Sequence, residues 1–188
     1  MPNKLQNKYW RICLLLMLCM SPFGAYANIV KEYPMSDSTS YISLITCTPG
    51  DDLYARYGHT ALRVYAPQTN IDWIFNYGIF DFNTDFFYWK FVRGETWYQL
   101  GIDYTHHFLA TDAHNGRKVY EQILNLSPSQ KQVLYDALVT NYQPQNRYYL
   151  YNFVYDNCAT RPYSLIKQSL GVEQLVSTYK GWEGKTYR

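Results

Sequence analysis

Tyr155-Asp156-Asn157-Cys158-Ala159-Thr160-Arg161-Pro162 is where an aromatic run, Tyr148 to Tyr155, gives way to a polar pair, a thiol and a helical pattern. That pattern, Ser164-Leu165-Ile166-Lys167-Gln168-Ser169-Leu170, is stopped by Gly171. Asparagine is a favoured helix N-cap, so Asn157 predicts that Cys158 lies in the first helical turn. Unpaired N–H groups and the helix dipole there favour thiolate over thiol. Cys158 is therefore a candidate nucleophile. The competing readings are a small buried residue or one half of a disulfide.

A thiol nucleophile requires a base within hydrogen-bond reach, and the base requires a group that fixes its tautomer. His59 is the candidate base, at the mouth of a strand just after Gly58. Asn76, on the expected partner strand, is the candidate for the third position, because an amide oxygen can accept from the imidazole N–H. Arg161 and Tyr57 are the candidate substrate contacts. Arg161 either holds an anionic group near the thiol or pairs with Asp156. Cys47, just ahead of the Thr48-Pro49-Gly50-Asp51 turn, is a second thiol or a disulfide partner for Cys158.

Composition narrows the class. Residues 1–27 read as an export signal: Lys4, Lys8 and Arg11, an apolar stretch from Ile12 to Met20, then the small-x-small site Ala25-Tyr26-Ala27. The expected mature protein is one periplasmic domain, 28–188. The whole chain has 17 Lys and Arg against 15 Asp and Glu. The signal holds three of the basic residues and no acidic one, which leaves 14 against 15, a net −1. The basic balance is thus an export feature, and no nucleic-acid surface is expected. His106, His107 and His114 match no zinc spacing, and no glycine-rich phosphate loop is present. Neither a metal nor a cofactor is expected. The 21 tyrosines and nine phenylalanines suit a cleft or a membrane-facing surface.

The pattern along the chain is α+β with mostly antiparallel strands. Strands are expected at Tyr41–Ile45 (where a helical turn is the alternative), Tyr57–Tyr65, Asp72–Gly78, Thr96–Tyr104, Lys118–Leu126 and Tyr148–Tyr155, the second and third forming a hairpin. Asp81 to Thr84 offer caps for a helix carrying Phe86, Phe87, Lys90 and Phe91. Thr105 caps a short helix through His114. Ser127-Pro128-Ser129-Gln130 opens the clearest helix, with Val133, Leu134, Ala137 and Leu138 as its apolar face.

Two sets of motifs carry a resemblance. Pro49-Gly50-Asp51, then Gly58-His59-Thr60-Ala61-Leu62-Arg63-Val64-Tyr65, then Asn157-Cys158 resemble the circularly permuted papain-like superfamily. In its NlpC-type and lecithin:retinol acyltransferase-like members a His strand precedes the Cys helix. Leu44 to Asp51, Phe75 to Asn83, Val119 to Leu126 and Asp156 to Pro162 are more closely similar to the Lnb N-terminal periplasmic domain family of Bacteroidota. That resemblance implies thiol-dependent acyl transfer, moving a fatty acyl chain from a phospholipid to the N-terminus of a lipoprotein through a Cys thioester. Cys158 would carry the acyl group, with His59 as its base and Asn76 as the third group. It also implies a membrane surface as partner. Longer members continue into a C-terminal membrane region. With the chain ending at Arg188, contact with lipid is expected to rest on the leader, aromatic surface residues or a partner. The alternatives are a cysteine amidase or peptidase acting on cell-wall peptides, and a non-catalytic domain with a Cys47–Cys158 disulfide.

Overall fold

Alternation of Leu62 and Val64 with Arg63 predicts a half-buried strand. A computed structural model, describing residues 35, 37–52, 55–80, 85–86, 89–90 and 93–173, places that strand within a sheet. The strands are β1 (Tyr41–Cys47), β2 (His59–Ala66), β3 (Ile71–Phe80), β4 (Trp97–Tyr104), β5 (Val119–Ile123) and β6 (Tyr148–Leu150). They form one antiparallel sheet in the order β5-β1-β2-β3-β4-β6. Three helices join them among the described residues: α1 (Thr105–His114), α2 (Pro128–Tyr142) and α3 (Thr160–Leu170). The class is α+β, as expected.

The β2–β3 hairpin turns through a single 3-10 turn at Pro67–Thr69. Asn70 closes it in the left-handed conformation, which a short polar side chain tolerates. Register then runs from Ala66 opposite Ile71 to Leu62 opposite Phe75. Strand side chains alternate between faces, so Ile45, Cys47, His59, Ala61, Ile74 and Asn76 share one face. Phe108 of α1 covers part of it, closing a core with Ile45, Cys47, Ala61 and Ile74, with Val119 packed alongside. Leu62, Phe75 and Tyr77 point to the other face. There Asn141 of α2 donates to the Tyr77 hydroxyl at 2.9 Å, and α3 packs along α2.

The clearest helix forms as expected. Ser127 Oγ accepts from the Gln130 amide, and Gln130 Oε1 accepts from the Ser127 amide. Its buried face is Lys131, Leu134, Tyr135 and Leu138, whereas Val133 is exposed. Lys131 is buried because its ammonium donates to the Ser40 and Asp37 carbonyls. β5 is shorter than expected. Thr105 does not cap α1 either: its hydroxyl donates to Asp72 at 2.6 Å, and the N-cap position is Tyr104.

The expected strand from Tyr148 to Tyr155 stops at Leu150. Asn152 Oδ1 accepts from the amides of Val154 and Tyr155, and the backbones of Asn152 and Asp156 bond reciprocally. A local side-chain turn thus replaces the sheet ladder. Trp89, Lys90 and Arg93 are helical. The expected caps Asp81 to Thr84, with Phe87 and Phe91, lie outside the described residues, as does the expected export signal 1–27.

Candidate functional site

The site begins where the chain re-enters the sheet. Gly58 has φ +75°, and a Cβ there would stand 2.7 Å from the Cys47 carbonyl oxygen, so only glycine delivers His59 to the head of β2. His59 then pairs in register with Cys47.

The imidazole is oriented by Asn76. His59 Nε2 lies 2.8 Å from Asn76 Oδ1, which also accepts from the Gly78 amide at 2.7 Å. Because a backbone N–H must meet an acceptor, the Gly78 bond fixes the amide with its oxygen inward. Nε2 must then be the protonated nitrogen, which leaves the Nδ1 lone pair free. Gly78 also makes the space: a Cβ there would sit 2.5 Å from His59 Cε1 and 3.0 Å from Asn76 Oδ1. Burial is the main influence on His59 and holds its pKa below the usual 6.5. The Asn76 bond works against this, and the nearby Arg117 charge adds to it.

Cys158 lies beside that strand. The backbone amides of Thr60, the residue after His59, and of Cys158 itself lie near enough to the sulfur to favour the thiolate. Asn157 shapes the turn. Its Oδ1 accepts from the amides of Ala159 and Thr160, and its own amide donates to Thr160 Oγ1 at 2.8 Å. Asn157 Nδ2 ties the turn back to the Phe153 carbonyl at 2.9 Å. The capping chemistry is as expected, but regular helix starts only at Thr160, leaving Cys158 in the turn ahead of it. The expected preference for thiolate is also reversed. Burial pushes the Cys158 thiol above its usual 9.0 despite the two amides and Arg117, which pull it down. Burial thus favours the neutral forms of both the thiol and the imidazole.

Tyr57 is 75% exposed and packs edge-on against Phe153, with ring centroids 4.7 Å apart, which brings it to the turn that precedes Cys158. Arg161 forms a fork on Asp156 at 2.5 and 2.7 Å, and its guanidinium lies 3.8 Å over the Tyr149 ring. Of its two expected roles, the structure displays the Asp156 pairing. Cys47 and Cys158 are both free thiols. Cys47 is fully buried, and its thiol donates to Asp112 Oδ2 at 3.5 Å. Burial, followed by the Asp112 charge, pushes it up to about 12. His106, His107 and His114 are exposed on α1, with His107 held by Asp103 at 2.7 Å.

Two groups of neighbours were not anticipated. Asp112 and Arg117 form a largely buried pair at 2.9 Å. They are five residues apart across the Asn115-Gly116 turn, a spacing that carried no visible signal. Tyr98, Tyr149 and Tyr151 gather near Cys158, with Tyr98 and Tyr151 stacked at 4.3 Å. Burial, then the proximity of Cys158, raises the Tyr151 hydroxyl to about 12, so it stays neutral. The aromatic run was visible, but its shared neighbour was not.

Fold and site together define an α+β domain with a free thiol near the strand that an asparagine-oriented histidine heads. The chain belongs to the Lnb N-terminal periplasmic domain family, whose model matches residues 26–182. No curated protein and no solved structure matches it. No helix among the described residues is long and apolar enough to cross a membrane.

Proposed function

We propose that this domain is a thiol-dependent acyl-transfer enzyme of the periplasm. The observation that carries the reading is the His59–Asn76–Gly78 arrangement, which leaves Nδ1 as the unprotonated nitrogen at the head of the strand that Cys158 lies beside. Nδ1 takes the proton from the Cys158 thiol as the sulfur attacks an ester carbonyl. The tetrahedral oxyanion collapses and expels the alcohol, which takes that proton from the imidazolium. The product is a Cys158 thioester. An amine then attacks the thioester, the sulfur leaves, and the amide product and the free thiol return with one proton passed through His59. The Cys158 amide is the proposed oxyanion donor.

The ester donor in this reading is a phospholipid and the amine acceptor a lipoprotein N-terminus. Support comes from family membership and from the apolar surface next to the thiol. Tyr57, Phe153, Val154 and Tyr155 are all more than half exposed, with Tyr155 at 82%. Tyrosines with one dry and one wet side suit a membrane–water interface. The same surface is the proposed contact with the membrane. The permuted papain-like arrangement belongs to this proposal: His59 heads a strand that precedes the Cys158 turn and α3 in the chain.

Mass spectrometry of the protein incubated with a phospholipid tests it. An acyl adduct is expected on Cys158, lost in Cys158→Ala. His59→Ala should slow adduct formation by about 10²- to 10⁴-fold while circular dichroism stays unchanged. An adduct found only on Cys47 would overturn the assignment.

A further inference from the structure

Arg117 is held from three sides. Its Nη1 meets Asp112 Oδ1 at 2.9 Å, its Nε donates to the Thr48 carbonyl at 2.9 Å, and its stem crosses Gly50, where a Cβ would stand 3.3 Å from Arg117 Cδ. The second oxygen of Asp112 accepts from the Cys47 thiol, so the carboxylate cannot turn away without breaking that bond. Thr48 follows Cys47, the register partner of His59. This clamp brings the guanidinium to the end of the sheet where the candidate site lies. Arg117 Nη2 is buried there without a hydrogen-bond partner among the described residues. Leaving a buried donor unpaired is unfavourable, so its persistence calls for a role.

We propose that Arg117 is a positioning residue of this site: its clamped guanidinium is a fixed positive charge that favours an anionic sulfur on Cys158 over a cationic imidazole on His59. The groups around the pair leave that task to it. Cys47 from β1, Asn76 from β3, Tyr98 from β4, and Tyr149 and Tyr151 from β6 and its end are uncharged at neutral pH. Arg161 of α3 is neutralised by Asp156. Asp112 of α1 opposes Arg117 at His59 but has the smaller influence there, and the Arg117 charge also draws the Cys158 thiol down. A base must be neutral to accept a proton and a thiol must lose one to attack, so one cation serves both ends of the transfer.

The catalytic meaning rests on the acyl-transfer reading, but thiol reactivity can be read without it. Alkylation of Cys158 by iodoacetamide, located by peptide mass spectrometry over a pH series, is the measurement. Near pH 8, Arg117→Met should react about threefold to tenfold more slowly, and Arg117→Lys should recover most of the rate. Arg117→Met strands a buried carboxylate, so the double variant Asp112→Leu/Arg117→Met is measured beside it. A shifted profile in either folded variant, with recovery in the lysine variant, supports the role. A profile that superimposes on the unsubstituted protein overturns it. If the profile shifts as expected but no acyl adduct ever forms on Cys158, the acyl-transfer reading falls and the role of Arg117 stands.

Discussion

Cys47 and Cys158 are the same side chain in neighbouring places, and their surroundings pull them apart. Cys47 is the register partner of His59, and Cys158 sits against the amide of the residue after it. Cys47 is fully buried and points its proton at a carboxylate. A thiolate there would face Asp112, so the proton is held. Cys158 is partly exposed, and two backbone amides near its sulfur favour the anion. Burial raises both and Arg117 draws both down, but backbone amides favour the anion of Cys158, whereas Cys47 faces a carboxylate. Closeness to a histidine does not set how readily a thiol ionises; the groups around the sulfur do.

The contrast is open to direct attack. Under iodoacetamide at neutral pH, Cys158 should label on the order of 100-fold or more faster than Cys47, read peptide by peptide. Equal labelling would erase the distinction. Next in size is Gly78→Ala. Its Cβ would meet His59 Cε1 at 2.5 Å, so the imidazole must move away from Asn76. Acyl transfer should drop by about 100-fold, with Cys47 labelling unchanged. A variant as active as the parent would mean that the His59–Asn76 geometry is irrelevant to the chemistry.

The mildest effect is that of pH. His59 has a pKa lowered below 6.5 by burial and must be neutral to take the thiol proton. Activity should therefore persist down to pH 6.5 and be lost below it, as pH falls through the folded value. The unfolded chain binds that proton more readily, so stability also declines on acidification from about the same point. A rate that falls well above pH 6.5 would point to an ion-paired resting state instead.

Much of the scaffold could be read directly. Ser127-Pro128-Ser129-Gln130 opened its helix and Gly171 closed α3 in the left-handed conformation, because capping depends on residues within one turn. The His59 strand and its hairpin partner followed from period-two alternation. Tyr148 to Tyr155 misled because aromatic content argues for a strand, while Asn152 offers its own oxygen to two following amides. Val133 fitted a helical apolar stripe yet faces solvent, since a stripe specifies a face but not how far the neighbouring layer covers it.

The candidate site divides along the same line. The His59–Asn76 contact was legible because each residue sits beside a local signal: a glycine before a strand and a hairpin register. Local order alone set the turn at Asn157, the strand headed by His59 and the hairpin that carries Asn76 past Gly78. The protonation of the thiol was a tertiary matter. Its sign depends on burial beneath elements far apart in the chain and on Arg117, whose charge reaches the site only because Asp112 and Thr48 hold it there. Desolvation and Coulomb energy are set by distance in space, which the order of residues does not encode one neighbour at a time.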